Sequence, residues 1–294
     1  MNKHAYVFAG QGAQFPGMGK NLYESEKQVK RLFDIAQDIL GFNISEVMFY
    51  GSEEDLKATS VTQPALFIHS ISQIVAMEGT FSADGVAGHS LGEFSALVAA
   101  GILSFEDGLD LVNVRAQAMQ EACDQTQGTM AAVLGLDDLK IEEICQSIDD
   151  IVVTANYNCP GQLVISGSLT GVEKASQACK EAGARRTLLL AVGGAFHSPL
   201  MESAGEKLSA KIDQLPFYEP SCPVYQNFTA QPSIDTGIIK ENLIAQLTGP
   251  VRWTQTIQNM ATDGFTLFTE AGGTGKILSG LIKKIDPNLE TTGI

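Results

Sequence analysis

Ser90 stands in 88-GHSLG-92, between the short apolar run 84-DGVAG-88 and the alanine-rich stretch 92-GEFSALVAAG-101. G-x-S-x-G where a strand turns into a helix is the spelling of a nucleophile elbow. The turn is so tight that glycine two residues to either side relieves backbone crowding. It exposes the hydroxyl and aims the N–H of the next residue, Leu91, toward an incoming carbonyl oxygen. The helix N-terminus adds partial positive charge that favours an oxyanion. Glu93 falls in the first helical turn, where an acidic side chain suits the dipole. Such a serine accepts an acyl group; the motif leaves open whether water or a second acceptor takes it away.

A serine hydroxyl needs an adjacent base, and the chain has four histidines. His4 lies in a first strand, 4-HAYVFAG-10, and His69 among apolar residues of a helix; both read as packed histidines. His89 adjoins Ser90, but neighbours along a strand point to opposite faces, so it reads as a structural partner of the elbow. His197, in 193-GGAFHS-198, remains as the base by elimination. No Asp or Glu is placed to complete a triad, so a backbone carbonyl or an amide side chain is expected to hold the imidazole. Arg115 either grips a carboxylate with its planar guanidinium or sits solvated on a rim. Two glycine-rich stretches fail as nucleotide sites. After 10-GQG-12 the chain has Phe15 where a dinucleotide fingerprint needs its last glycine, and 272-GGTGK-276 is followed by Ile277 where a phosphate loop needs Ser or Thr.

These groups need elements to place them. A helical period runs from Leu22 to Leu40. The stretch 61-VTQPALFIHSISQIVAM-77 reads as a helix after Pro64, a proline suited to a first turn. Ser104 and Asp107 form an acidic variant of a capping box for a helix whose stripe is Phe105, Leu109, Val112, Ala116 and Met119, with Arg115 at its edge. From Gly128 the order becomes β-α-β-β-α-β, that of a ferredoxin-like unit. Residues 128–193 are therefore expected as an α+β insert, and 1–127 with 194–294 as a larger α/β core. Helices near 200–214 and 237–247, a strand and loop over 264–273 and a closing helix over 277–285 complete the last third.

Composition narrows the setting. With 44% hydrophobic and 18% charged residues the chain can bury a sizeable core. Its five cysteines are odd in number and form no CxxC pair, which fits a reducing cytoplasmic home and marks neither a disulfide framework nor a metal site. The first apolar stretch is too short for a signal sequence, and no run is long enough to span a membrane. A net charge of −15 argues against nucleic acid as a partner. A monomer is the default expectation.

Several separate stretches together resemble the malonyl-CoA:acyl carrier protein transacylases, the acyltransferases of bacterial fatty-acid synthesis and of polyketide synthases. They are 8-FAGQGAQFPGMG-19, 87-AGHSLGE-93, Arg115, 156-NYNCPGQLVISG-167, 195-AFHSPLM-201 and 246-QLTGPVRW-253, and they cover essentially the whole chain. The resemblance implies an α/β-hydrolase-like core with a parallel sheet and a ferredoxin-like insert. It makes Ser90 the nucleophile and His197 its base. It makes Gln11 and Leu91 the backbone N–H donors to the oxyanion, and the main-chain carbonyl of Gln246 the group that orients the histidine. Arg115 would take the free carboxylate of the acyl group, and Phe196 would crowd an α-methyl branch. The substrates implied are malonyl-CoA and phosphopantetheinylated acyl carrier protein, with no cofactor, in a ping-pong transfer. Carrier proteins of this kind are acidic, so Arg185/Arg186 and Lys283/Lys284 are the candidate docking pairs. One departure is 270-EAGGTGK-276, where the family reads E-x-G-P-G-K. Two rival functions are an esterase or thioesterase on the same elbow and a non-catalytic docking module.

Overall fold

Continuous apolar runs rather than alternating ones mark strands covered on both faces, and 5-AYVF-8 and 85-GVAG-88 are buried along their length. They form the centre of the main sheet in the computed structural model, which describes residues 3–294. In chain order the strands are β1 (Lys3–Phe8), β2 (Gly85–Gly88), β3 (Gly128–Leu134), β4 (Val152–Cys159) and β5 (Gln162–Ser168). They continue as β6 (Arg186–Leu189), β7 (Val224–Tyr225), β8 (Pro232–Ser233), β9 (Phe265–Ala271) and β10 (Glu290–Gly293). The main sheet has the order β10-β9-β1-β2-β7-β8, parallel except for β8 at its edge.

A second, antiparallel sheet has the order β4-β5-β3-β6. With the helices Asp138–Ser147 and Leu169–Glu181 it follows the expected β-α-β-β-α-β sequence. It has an apolar cluster of its own, including Val133, Ile141, Leu163 and Ile165. The second sheet is tied at β4 to the segment that leads into helix Trp253–Thr262, where Val251 N–H donates to Ala155 C=O at 2.8 Å and Tyr157 N–H to Val251 C=O at 2.9 Å. That tie lies just beyond Gln246, so the second sheet is pinned beside the elbow.

Several local expectations change. The Leu22–Leu40 period is divided into helices Lys20–Ser25 and Lys27–Leu40 by Glu26, whose backbone is extended. Pro64 lies inside helix Thr59–Ala76 and not in its first turn. Burial of Ala65, Leu66, Phe67 and Ile68 around it outweighs the hydrogen bond that its missing N–H forfeits. The last strand of the β-α-β-β-α-β unit, β6, is only four residues long. The helices Ile44–Tyr50 and Trp253–Thr262 and the strands β7, β8 and β10 were not anticipated. Two-residue β7 and β8 carry too little sequence to show any period.

The atypical 270–276 loop has a plain structural account. Glu270 is fully buried, and its carboxylate accepts from Ile277 and Leu278 N–H at 3.0 Å each and from Ser279 N–H at 2.8 Å. It fills the N-terminus of helix Ile277–Ile285, where a phosphate loop would hold its anion. Gly275, at φ 69°, passes so close to β10 that an added Cβ would stand 2.8 Å from Gly293 Cα.

Candidate active site

The elbow is built by close approach. A Cβ on Gly88 would lie 1.9 Å from the Gly92 carbonyl carbon, and one on Gly92 would lie 2.0 Å from the Phe8 oxygen. Between them Ser90 is held at φ 53°, a left-handed conformation that side chains resist. Asn227 clamps the turn: its Oδ1 accepts from Ser90 N–H at 2.6 Å and its Nδ2 donates to Gly88 C=O at 2.6 Å.

His197, also at positive φ (57°), brings Nε2 to 2.8 Å from Ser90 Oγ, while its Nδ1 is 2.8 Å from the main-chain oxygen of Gln246. A carbonyl can only accept, so Nδ1 carries the proton and the bare Nε2 accepts from the serine hydroxyl. Burial, aided by the nearby Arg115 charge, pushes the imidazole pKa down to about 3. It is therefore neutral and ready to take a proton at any ordinary pH.

Arg115 does not lie on a solvated rim; it is 1% exposed. Its helix, Phe105–Gln125, starts at the expected Ser104 cap, which accepts from Asp107 N–H at 3.0 Å, but buries a wider face than the predicted stripe. Nη1 donates to Gln63 Oε1 at 2.7 Å, and Nη2 donates to both Ser90 Oγ and Gln246 Oε1 at 3.1 Å. Among the described residues Nε has no hydrogen-bond partner, and the guanidinium lies 5.1 Å from the centre of the Phe94 ring. Burial lowers its pKa to about 9, opposed by Glu93, and it stays protonated at neutral pH.

Ser90, His197, Arg115, Gln11, Leu91 and Phe196 all border one cavity of about 170 Å³, whose lining also includes the apolar Met119, Met130 and Val164. Among the described residues neither the Gln11 nor the Leu91 N–H donates to a protein acceptor. Two free N–H groups, an activated hydroxyl and a cation with a spare donor can serve acyl transfer of a group bearing its own carboxylate.

Gln246 stands behind the cavity and not in it. Beyond supplying the carbonyl for His197, its side chain contacts Arg115, Ser90 C=O and Glu93. Glu93, expected in the first helical turn where an acid suits the dipole, is there and is fully buried. Sequence reasoning missed Asn227, Gln63 and this role of Glu93, since amides carry no motif spacing. His89 sits beside Ser90 as expected, with Nε2 2.9 Å from Asn158 Oδ1, although it also reaches the cavity wall.

Of the basic pairs, Arg185 packs on Gly135, whose N–H donates to Gly161 C=O at 2.8 Å in the β4–β5 turn. Lys284 acts electrostatically on Cys159 at the same turn. Arg185 and Lys284, one from each exposed pair, thus both lie near the β4–β5 turn.

The acyl transferase domain family matches residues 5–286. Over its full length the chain is 44% identical to the malonyl CoA-acyl carrier protein transacylase of Bacillus subtilis, of which it covers 94%. An acyl carrier protein S-malonyltransferase from Vibrio cholerae superposes with TM-score 0.94 at 39% identity, covering all of this chain and 97% of that one. A malonyl-transacylase solved with its holo type II PKS acyl-carrier protein gives TM-score 0.94 at 37% identity, covering 100% and 96%. The chain carrying this Ser90–His197–Arg115 arrangement belongs to the acyl transferase family, among the malonyl-CoA:acyl carrier protein transacylases.

Proposed function

We propose that the chain moves a malonyl group from malonyl-CoA to the phosphopantetheine thiol of an acyl carrier protein through a malonyl-Ser90 intermediate. The observation that carries this is the meeting of two groups at one oxygen: Ser90 Oγ lies 2.8 Å from His197 Nε2 and 3.1 Å from Arg115 Nη2. A hydrolase needs the first contact; a carboxylate-bearing acyl group accounts for the second.

Ser90 Oγ attacks the thioester carbonyl as His197 Nε2 takes its proton, and the carbonyl oxygen gathers charge beneath the Gln11 and Leu91 N–H groups. The C–S bond then breaks and the imidazolium returns the proton to the departing CoA sulfur. In the second half the carrier thiol gives its proton to Nε2, its sulfur attacks the malonyl-serine, and Ser90 leaves with that proton. Gln246 C=O keeps Nδ1 protonated in both halves. Arg115 exchanges its contacts with neutral groups for the malonyl carboxylate, which acetyl-CoA cannot supply. Phe196 limits room for an α-methyl branch, a discrimination of about 1–3 kcal/mol. No step calls for a group beyond the two substrates.

Residues 128–193 act as an inserted ferredoxin-like subdomain closing over a core of 1–127 and 194–294, consistent with the separate apolar cluster of the second sheet. The chain works as a cytoplasmic monomer that meets the acidic carrier through Arg185/Arg186 or Lys283/Lys284. Intact-mass measurement after incubation with malonyl-, methylmalonyl- and acetyl-CoA, then with holo-carrier protein, tests the whole reading. The expected result is one malonyl adduct on Ser90 that discharges onto the carrier. Absence of that adduct, or its loss to water alone, overturns it.

A further inference from the structure

The supports of the nucleophile and of the base run back to one carboxylate. Glu93 is fully buried, and three donors meet it: Asn227 N–H at 2.8 Å, Gln246 Nε2 at 3.0 Å and Gln226 Nε2 at 3.2 Å. Two of these residues reach on to the reacting groups. Asn227 clamps the Ser90 turn from both sides. Gln246 donates to Ser90 C=O at 3.1 Å, accepts from Arg115 and holds His197 through its main-chain oxygen. The direction of the Gln246 amide is fixed, because arginine can only donate and Oε1 must face it, which leaves Nε2 for Glu93. All three neighbours of the carboxylate offer N–H groups, so the ionised form, an acceptor at both oxygens, satisfies them all.

We infer, resting on Ser90 as nucleophile and His197 as base, that Glu93 is a positioning residue for the transfer: its carboxylate is the shared anchor that sets the Ser90 turn through Asn227 and the His197–Arg115 pair through Gln246. The anchor titrates apart from the base. Burial raises the Glu93 pKa to about 7 against the pull of its donors and of Arg115. The charged group facing it is Arg115, from helix Phe105–Gln125; Gln226, Asn227 and Gln246 on the other sides are neutral. His197 and His89, further off, are both held below their ordinary pKa by burial. As pH falls through about 7 Glu93 therefore gains a proton while His197 stays neutral. The new O–H points into N–H donors, and Gln246 or Asn227 is released.

The test uses the full chain and a neutral fluorophosphonate, whose fluoride is displaced by Ser90 Oγ and which needs neither malonyl nor carrier. Labelling of Ser90, followed by mass spectrometry, should slow about tenfold on the acid side, as loss of a hydrogen bond to a charged group implies, with a midpoint at about 7. Glu93→Gln keeps the shape but cannot ionise, and should label at the slow rate without that acid limb. Gln226→Met removes one donor from the carboxylate and should move the wild-type midpoint up by about half to one pH unit; it decides the matter if Glu93→Gln does not fold. A merely structural Glu93 would lower the melting temperature of Glu93→Gln and leave the pH profile alone. A wild type without the limb, a limb retained in Glu93→Gln, or a midpoint unmoved in Gln226→Met overturns the inference. Failure of wild-type Ser90 to label at any pH would instead overturn the assignment of nucleophile and base.

Discussion

Glu93 and Glu270 are both fully buried, both stand near a helix N-terminus, and each accepts three N–H hydrogen bonds. Their donors differ. Those of Glu270 are consecutive backbone N–H groups of one helical turn, which have nowhere else to go. Those of Glu93 are one backbone N–H and two side-chain amides, and Gln246 and Asn227 extend to His197, Arg115 and Ser90. A carboxylate among backbone donors fixes a single element, whereas one among amides couples several. The helix that Glu270 caps, Ile277–Ile285, ends in Lys283 and Lys284, one of the two candidate docking pairs. On this account one glutamate serves the chemistry and the other serves the surface.

The largest effects should fall on the Glu93 side. His197→Ala removes the base and should slow malonyl loading by about 10²–10⁴-fold, the range of a general base, while the denaturation midpoint stays close to wild type. Rapid-quench mass spectrometry of the acyl-enzyme measures it; a loading rate within tenfold of wild type would remove His197 from the mechanism. Arg115→Ala should cost malonyl loading roughly ten- to a hundredfold, as loss of a charge-assisted bond implies, and should raise acetyl loading relative to it. An unchanged malonyl-to-acetyl ratio would leave Arg115 as a support of Ser90 and nothing more.

The same contrast shows what a linear sequence can disclose. Ser90, Gly88 and Gly92 are legible because the elbow forces all three within five residues, and the strain it imposes has few chemical solutions. The α/β core and the β-α-β-β-α-β unit are legible because their longer strands and helices carry apolar runs and periods, whereas the parallel sheet followed only from the family resemblance. Glu93 was visible only as an acid in a first turn, because its partners lie 133, 134 and 153 residues away. An amide that accepts from an arginine and donates to a glutamate looks like any other Gln or Asn. Arg115 was placed at the edge of its stripe since periodicity assumes one apolar face, and this helix is packed on more than one. The role of Glu270 was hidden for the opposite reason: the loop after it reads as a failed phosphate site, whereas its carboxylate is bound by the helix that follows.

Glu270→Ala separates the two carboxylates most directly. Three buried N–H groups lose their acceptor, so stability should fall by about 1–3 kcal/mol, read from the denaturant midpoint. Malonyl loading on Ser90 should stay within about twofold, because Ile277, Leu278 and Ser279 do not line the cavity beside Ser90 and a structural cap acts on a single helix. A loading defect larger than the stability defect would place Glu270 in the catalytic network and dissolve the distinction.

The smallest effect is expected at the surface. Lys283→Glu with Lys284→Glu should raise the apparent KM for carrier protein several-fold, about 1 kcal/mol in all, and the change should shrink as salt is added, because exposed charges are screened over about 8–10 Å. Lysines in the last turn also suit the helix dipole, so a loss of stability alone would not show docking; Lys283→Gln with Lys284→Gln measures that part separately. The loading half-reaction gives the decisive arm. If KM for malonyl-CoA rises as much as KM for the carrier, the pair answers to the phosphates of CoA, and Arg185/Arg186 across the β4–β5 turn becomes the pair to reverse next. If only the carrier KM moves, the helix held by Glu270 is a docking element, and a chain of net charge −15 meets an acidic partner through a local excess of lysine.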